Sequence, residues 1–136
     1  MNRREALKAT SAVGIGGLFG SGVGYASQSK SIEEAISACL VACNACLGDC
    51  LDPEKLQDPS YVACVKASMD CLSVCESMLD LVGRRSPLAC KLAPVCIEAC
   101  LSCINACLAH PDDPDCEACA AACRACIGAL EHLELD

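Results

Sequence analysis

The 136-residue sequence has no Trp, one Phe and two Tyr, so the aromatic side chains that usually dominate a core of this size are missing. It has two His and no evident nucleophile–base arrangement, which argues against ordinary hydrolytic catalysis. Cationic residues are scarce: ten Lys and Arg face eighteen Asp and Glu, a net charge of −8. A chain this acidic is a poor ligand for nucleic acid or anionic lipid. No stretch sustains strand alternation with β-branched or aromatic residues, which removes a sheet from consideration. The length suffices for one domain and not comfortably for two. What is abundant is Cys, with sixteen residues.

The N-terminus reads as an export signal covering residues 1–26. It opens Arg3-Arg4-Glu5-Ala6-Leu7-Lys8, continues with an uncharged Gly-rich run, and ends in the small-x-small pattern Gly24-Tyr25-Ala26. The paired Arg, with Leu7 and Lys8 at their offsets, resembles a twin-arginine signal, which implies export of a folded chain to the periplasm. Removing it leaves seven basic against seventeen acidic residues in 27–136, a net charge of −10, and retains every Cys. Cys is then ~15 % of the chain, a share that in a short exported protein marks a disulfide or metal scaffold.

Four blocks of helical periodicity follow, separated by Pro- and Asp-rich breaks. Ser31 and Glu34 form a capping box that predicts a first helix over about 31–51. Asp58-Pro59 pairs an N-cap with Pro at the first helical position, predicting a second helix over 59–82 with Gly83 as its stop. Ser86-Pro87 and Asp113-Pro114 repeat the start signal for helices over 87–109 and 114–133. Short connections make neighbours antiparallel, so the expected fold is all-α, an up-down-up-down four-helix bundle.

The cysteines fall on the core-facing stripes of these helices. The first carries Cys39, Cys43, Cys46 and Cys50, and the third repeats that spacing with Cys96, Cys100, Cys103 and Cys107. The fourth carries Cys116, Cys119, Cys123 and Cys126; the second carries Cys64, Cys71 and Cys75, with Ser68 and Met78 in the same register. Cys90 lies one position past Ala89, off the stripe, and a kink at Pro94 is expected to swing it inward. Glu76, Asp80, Glu98, Glu117 and Arg124 lie off the stripes. The bundle core is therefore expected to be lined by sulfur.

A Cys can serve as a small hydrophobe, but not so many on four matched stripes. A disulfide framework is natural outside the cytoplasm, yet residues three or four apart on a helix project nearly parallel, and helix axes lie 8–10 Å apart. Metal binding suits the geometry, because thiols at such spacings have Cβ atoms about 5–6 Å apart. Thiolate-only surroundings favour copper(I), zinc or iron–sulfur clusters. Four-thiolate zinc sites leave −2 each in a low-dielectric interior, and no Lys or Arg lies on the stripes to compensate. Copper(I) balances one thiolate per ion, so multiple copper(I) ions match best. A thiol-redox or iron–sulfur electron-transfer protein, and a zinc or cadmium sequestration protein, remain the alternatives.

The C-x3-C-x2-C-x3-C stripes of Cys39–Cys50 and Cys96–Cys107 on a four-helix plan resemble the copper storage proteins, cysteine-rich bacterial bundles. The twin-arginine leader is similar to that of the exported branch of the family. The resemblance implies many copper(I) ions held by core Cys pairs, a non-enzymatic role in supplying copper enzymes or limiting copper toxicity, and a homo-oligomer, often a tetramer. It implies neither nucleic-acid binding nor membrane insertion of the mature chain. Ser68 and Met78 depart from a full Cys stripe.

The two ends of such a bundle differ. Ile32, Ile36, Val82, Ala93, Leu130 and Leu133 gather at one end as an apolar plug. Cys50, Tyr61, Cys64, Cys107, His110 and Cys116 gather at the other, where copper is expected to pass. His110 continues the stripe from Cys107 and is a candidate ligand there, with the helix C-terminal dipole as the alternative reason for its position. Met78 is a second candidate, with ordinary packing the competing explanation.

Overall fold

The structure, a computed structural model, describes the backbone of residues 24–135 and the side chains of residues 31–133. Four helices follow one another: α1 (Gly24–Cys50), α2 (Pro59–Gly83), α3 (Leu88–Leu108) and α4 (Pro114–Leu135), with a 3-10 turn at Lys55–Gln57 between α1 and α2. Each helix packs against its sequence neighbours, and α4 closes the ring against α1. This is the expected up-down-up-down bundle, with no strand among the described residues.

The starts of α2, α3 and α4 follow their local chemistry. The Asp58 carboxylate accepts the Ser60 N–H at 2.9 Å with Pro59 in the first turn. The Ser86 hydroxyl accepts the Leu88 N–H at 3.2 Å, and Asp113 accepts the N–H of Asp115 at 3.0 Å. Each bond satisfies a donor that the helix itself cannot pair.

One expected boundary moves. Ser31 does not cap α1, which is already helical from Gly24. No Pro stands in 24–30, and extending an existing helix needs no new nucleus, so the helix runs through the capping-box signal. The proposed leader, residues 1–26, falls for 1–23 outside the described residues. α2 ends at Gly83, and the left-handed position in the turn that follows is held by Arg85, at φ 54°.

The interior follows the stripes. Fifteen of the sixteen Cys are buried, together with Ile32, Ile36, Met78, Val82, Ala93 and Leu130 at one end. Leu133 packs against this plug from a half-buried position. Glu76, Glu98, Glu117 and Arg124 are exposed. Residues 31–50 and 88–108 are apolar and long enough to cross a membrane, but much of that hydropathy is cysteine turned toward the other helices.

Candidate metal centre

The regular turn of each helix delivers a thiol to the axis every three or four residues, and the four stripes interleave. Near the plug, Cys75 and Cys96 have sulfur atoms 3.4 Å apart. Farther along, Cys71 lies 3.8 Å from both Cys75 and Cys100. Cys39 approaches Cys43 at 3.8 Å and Cys123 at 3.7 Å, and Cys43 approaches Cys119 at 3.5 Å. Cys103 and Cys119 are 3.4 Å apart, and Cys46 is 3.9 Å from both Cys50 and Cys116. These separations are sulfur–sulfur contacts, far longer than the ~2.05 Å of a disulfide bond. All sixteen Cys are free.

The sulfurs form overlapping groups of four, each with its atoms within 4.8 Å of one another: Cys39, Cys71, Cys75 and Cys100; Cys39, Cys43, Cys71 and Cys123; Cys43, Cys103, Cys119 and Cys123; and Cys75, Cys96, Cys100 and Cys126. Cys46, Cys50 and Cys116 form a group of three toward the opposite end. There Cys64 interacts with Cys50, Cys107 and Cys116. The arrangement is a continuous rack in which one sulfur serves two neighbouring sites. Among the described residues the only polar or charged residue buried as a whole is Ser68, whose hydroxyl lies 3.8 Å from the Cys103 sulfur. No Lys or Arg among the described residues is buried with the thiols. Burial pushes the thiols of Cys50, Cys64 and Cys116 up, because a thiolate there loses its hydration.

Cys90 is not brought to the other fifteen. It is exposed, with its sulfur 3.5 Å from the Leu133 carbonyl beside the plug. One residue along a helix rotates a side chain by about 100°. A proline bend tilts the axis without supplying that rotation, and α3 continues through Pro94. Met78 is fully buried beside the apolar plug.

At the far end the thiols meet a polar cap. The Tyr61 and His110 rings stack with centroids 3.6 Å apart and planes 14° apart. The Tyr61 hydroxyl donates to Asp113 Oδ2 at 3.0 Å, and Lys55 Nζ donates to the same oxygen at 3.0 Å and to Asp49. Nε2 of His110 is buried with no hydrogen-bond partner. An unsatisfied buried imidazole nitrogen is costly, so a ligand at this atom has a favourable place to bind. Burial alone would raise the Asp113 carboxyl, but hydrogen bonds from Lys55, Tyr61 and the Asp115 N–H prevail and hold it down to about 2. Tyr61, half-buried and donating to that carboxylate, is pushed up to about 12 by partial desolvation and by the Asp113 charge. A cleft of about 630 Å3 opens here, lined in part by Asp49, Lys55, Tyr61, His110 and Asp113. The sequence pointed to Tyr61 and His110 at this end. It did not point to Lys55 or to the second role of Asp113, although the Asp113-Pro114 cap was visible.

A four-helix bundle whose core is a ladder of free thiols defines a class of soft-metal scaffold. Within it, the profile of the Csp family of copper storage proteins matches residues 25–134, and the chain belongs to that family. The structure is similar to that of the copper storage protein Ccsp from Streptomyces lividans, solved loaded with 10 copper equivalents: TM-score 0.74, 26 % identity, 80 % of this chain and 85 % of that one covered. The uncharacterized cysteine-rich protein YhjQ of Bacillus subtilis (strain 168) is 30 % identical over 98 residues, 72 % of this chain and 88 % of that protein.

Proposed function

We propose that the protein stores multiple copper(I) ions along the axis of its bundle, held by the core Cys thiolates, as a reservoir and not an enzyme. The observation that carries the reading is the overlap of the sulfur groups in a core where no Lys or Arg among the described residues is buried. Spacing alone does not choose the metal, since a tetrahedral zinc site with ~2.3 Å bonds also needs sulfurs about 3.8 Å apart. Overlap and charge do choose. Cys39, Cys43, Cys71, Cys75, Cys100 and Cys123 each belong to two groups, so isolated four-thiolate cages would compete for the same sulfurs. A zinc array would also leave about −2 per site uncompensated. Copper(I) with bridging thiolates uses shared sulfur and approaches neutrality. Each ion displaces thiol protons, so loading releases acid and tightens as pH rises.

Copper passes through the end where Cys50, Cys64, Cys107 and Cys116 meet His110, because Ile36, Met78 and Leu130 fill the other end. His110 Nε2 is the first nitrogen ligand on that route, an assignment supported by its burial without a partner. The paired Arg3-Arg4 leader supports export of the folded chain to the periplasm by the twin-arginine route. Membership of the family supports a homo-oligomer, a tetramer by resemblance, and delivery of the stored copper to a copper enzyme or its retention against toxicity.

Titration of the fully reduced protein with copper(I) against a chromogenic chelator tests the reading. Uptake of about a dozen ions with helicity retained is the expected result, on the scale of one ion per core thiol or slightly fewer. Saturation at one to four ions would overturn it in favour of zinc, a cluster or a transfer protein.

A further inference from the structure

We propose that Lys55, Tyr61 and Asp113 form a clasp across the thiol-rich end of the bundle that sets how fast copper passes without adding to how much is held. The inference rests on the storage reading and concerns residues that are not themselves thiol ligands.

Asp113 is the centre of the clasp, because both of its oxygens are engaged in different work. Oδ1 accepts the N–H of Asp115 at 3.0 Å and of Cys116 at 3.5 Å, fixing the first turn of α4 and with it the backbone of a rack cysteine. Oδ2 accepts the Tyr61 hydroxyl from α2 and the Lys55 ammonium from the α1–α2 connection, each at 3.0 Å. Lys55 also reaches Asp49 on α1. One carboxylate, with 8 % of its side chain exposed, therefore ties α4, α2 and the α1–α2 connection together at the mouth, and Lys55 extends the tie to α1 through Asp49.

The same contacts hold the imidazole. Tyr61 cannot swing without breaking its bond to Asp113, and its ring lies flat against His110. Lys55 Nζ sits 5.2 Å from the Tyr61 ring centroid, adding a cation–π contact to the ring that stacks on His110. The result is a His110 whose inner nitrogen stays buried and unpaired, and a mouth whose walls cannot part until the clasp opens. A metal ion moving between cleft and rack must displace this arrangement, so the strength of the clasp enters the barrier to passage and not the depth of the store.

The test measures capacity and rate separately on the full-length, reduced protein. Wild type, Lys55→Met, Lys55→Arg and Tyr61→Phe are loaded with copper(I), their stoichiometry is measured, and copper transfer to an excess of chromogenic chelator is followed by stopped flow. Tyr61→Phe removes only the hydroxyl bond and keeps the stacked ring, so it guards against a result caused by misfolding. The expected result is wild-type stoichiometry throughout, with Lys55→Met and Tyr61→Phe releasing copper about three- to tenfold faster and Lys55→Arg restoring most of the wild-type rate; that is the scale on which a partly exposed ion pair or one hydrogen bond changes a barrier. Release at the wild-type rate in both Lys55→Met and Tyr61→Phe overturns the clasp and leaves the storage reading standing. Loss of stoichiometry in Tyr61→Phe also overturns it, since the hydroxyl then supports the sites themselves. A wild-type protein that takes up no more than a few ions removes the storage reading, and the clasp falls with it.

Discussion

Among the described residues Ser68 is the single polar residue buried in the core, on the α2 stripe between Cys64 and Cys71, where the pattern of the other helices would place a thiol. Its oxygen lies 3.8 Å from the Cys103 sulfur, a distance that already matches the sulfur–sulfur contacts around it. A Ser→Cys change here is nearly isosteric and completes the stripe. Ser68→Cys is expected to raise copper(I) stoichiometry by about one ion, on the basis of one thiolate per cation, read by titration and by native mass spectrometry. Cys90→Ser is expected to leave stoichiometry unchanged, because that sulfur stands outside the rack beside the Leu133 carbonyl. A loss of copper in the Cys90 variant, or no gain in the Ser68 variant, would contradict the positions assigned to these two residues.

At the scale of the element, the stripe of each helix divides into a metal-binding stretch and a hydrophobic stretch, and the two should respond differently to substitution. Ile36, fully buried in the plug, contributes apolar burial and no ligand atom. Ile36→Ala is expected to lower the stability of the metal-free bundle by about 2–4 kcal/mol, through lost transfer energy and the cavity left behind, as read by denaturant unfolding, with copper stoichiometry retained. The helices and their inward faces were legible in the sequence because period, caps and Cys spacing agree: Asp58, Ser86 and Asp113 each accept an N–H where the pattern placed a helix start. The start of α1 was not legible, because the signal at Ser31 and Glu34 is local and carries no information on whether a helix is already under way from Gly24. Cys90 is exposed for a related reason: a bend at Pro94 tilts the helix without rotating its residues about the axis. The contacts of Lys55 and Asp113 could not be read at all, since they join two connections 58 residues apart that meet only when the bundle closes.

For the whole molecule, the fold trades the usual greasy core for one whose stability depends on the protonation and metallation of its sulfur. In the metal-free protein, burial raises Cys50, Cys64 and Cys116 above their ordinary value of 9.0, while the unfolded chain ionises near that value. At these three sites the folded state therefore holds more protons than the unfolded state above about pH 9, and their contribution to stability falls with rising pH from there. Below that pH these three thiols are protonated in both states and their contribution is fully present. The metal-free protein is thus expected to show a falling thermal midpoint from about pH 9 upward, whereas the copper-loaded protein, with its protons already displaced, is expected to show a much smaller dependence. Equal pH dependence in the two forms would contradict a thiolate-held metal core. The most direct test of the account is anomalous diffraction at the copper edge from crystals of the copper(I)-loaded protein. The account predicts a file of copper peaks along the bundle axis, from the level of Cys75 and Cys96 to that of Cys50 and Cys116, each bounded by sulfur from more than one helix. Peaks confined to the surface, or an axis without copper and with its sulfurs unshifted, would contradict it.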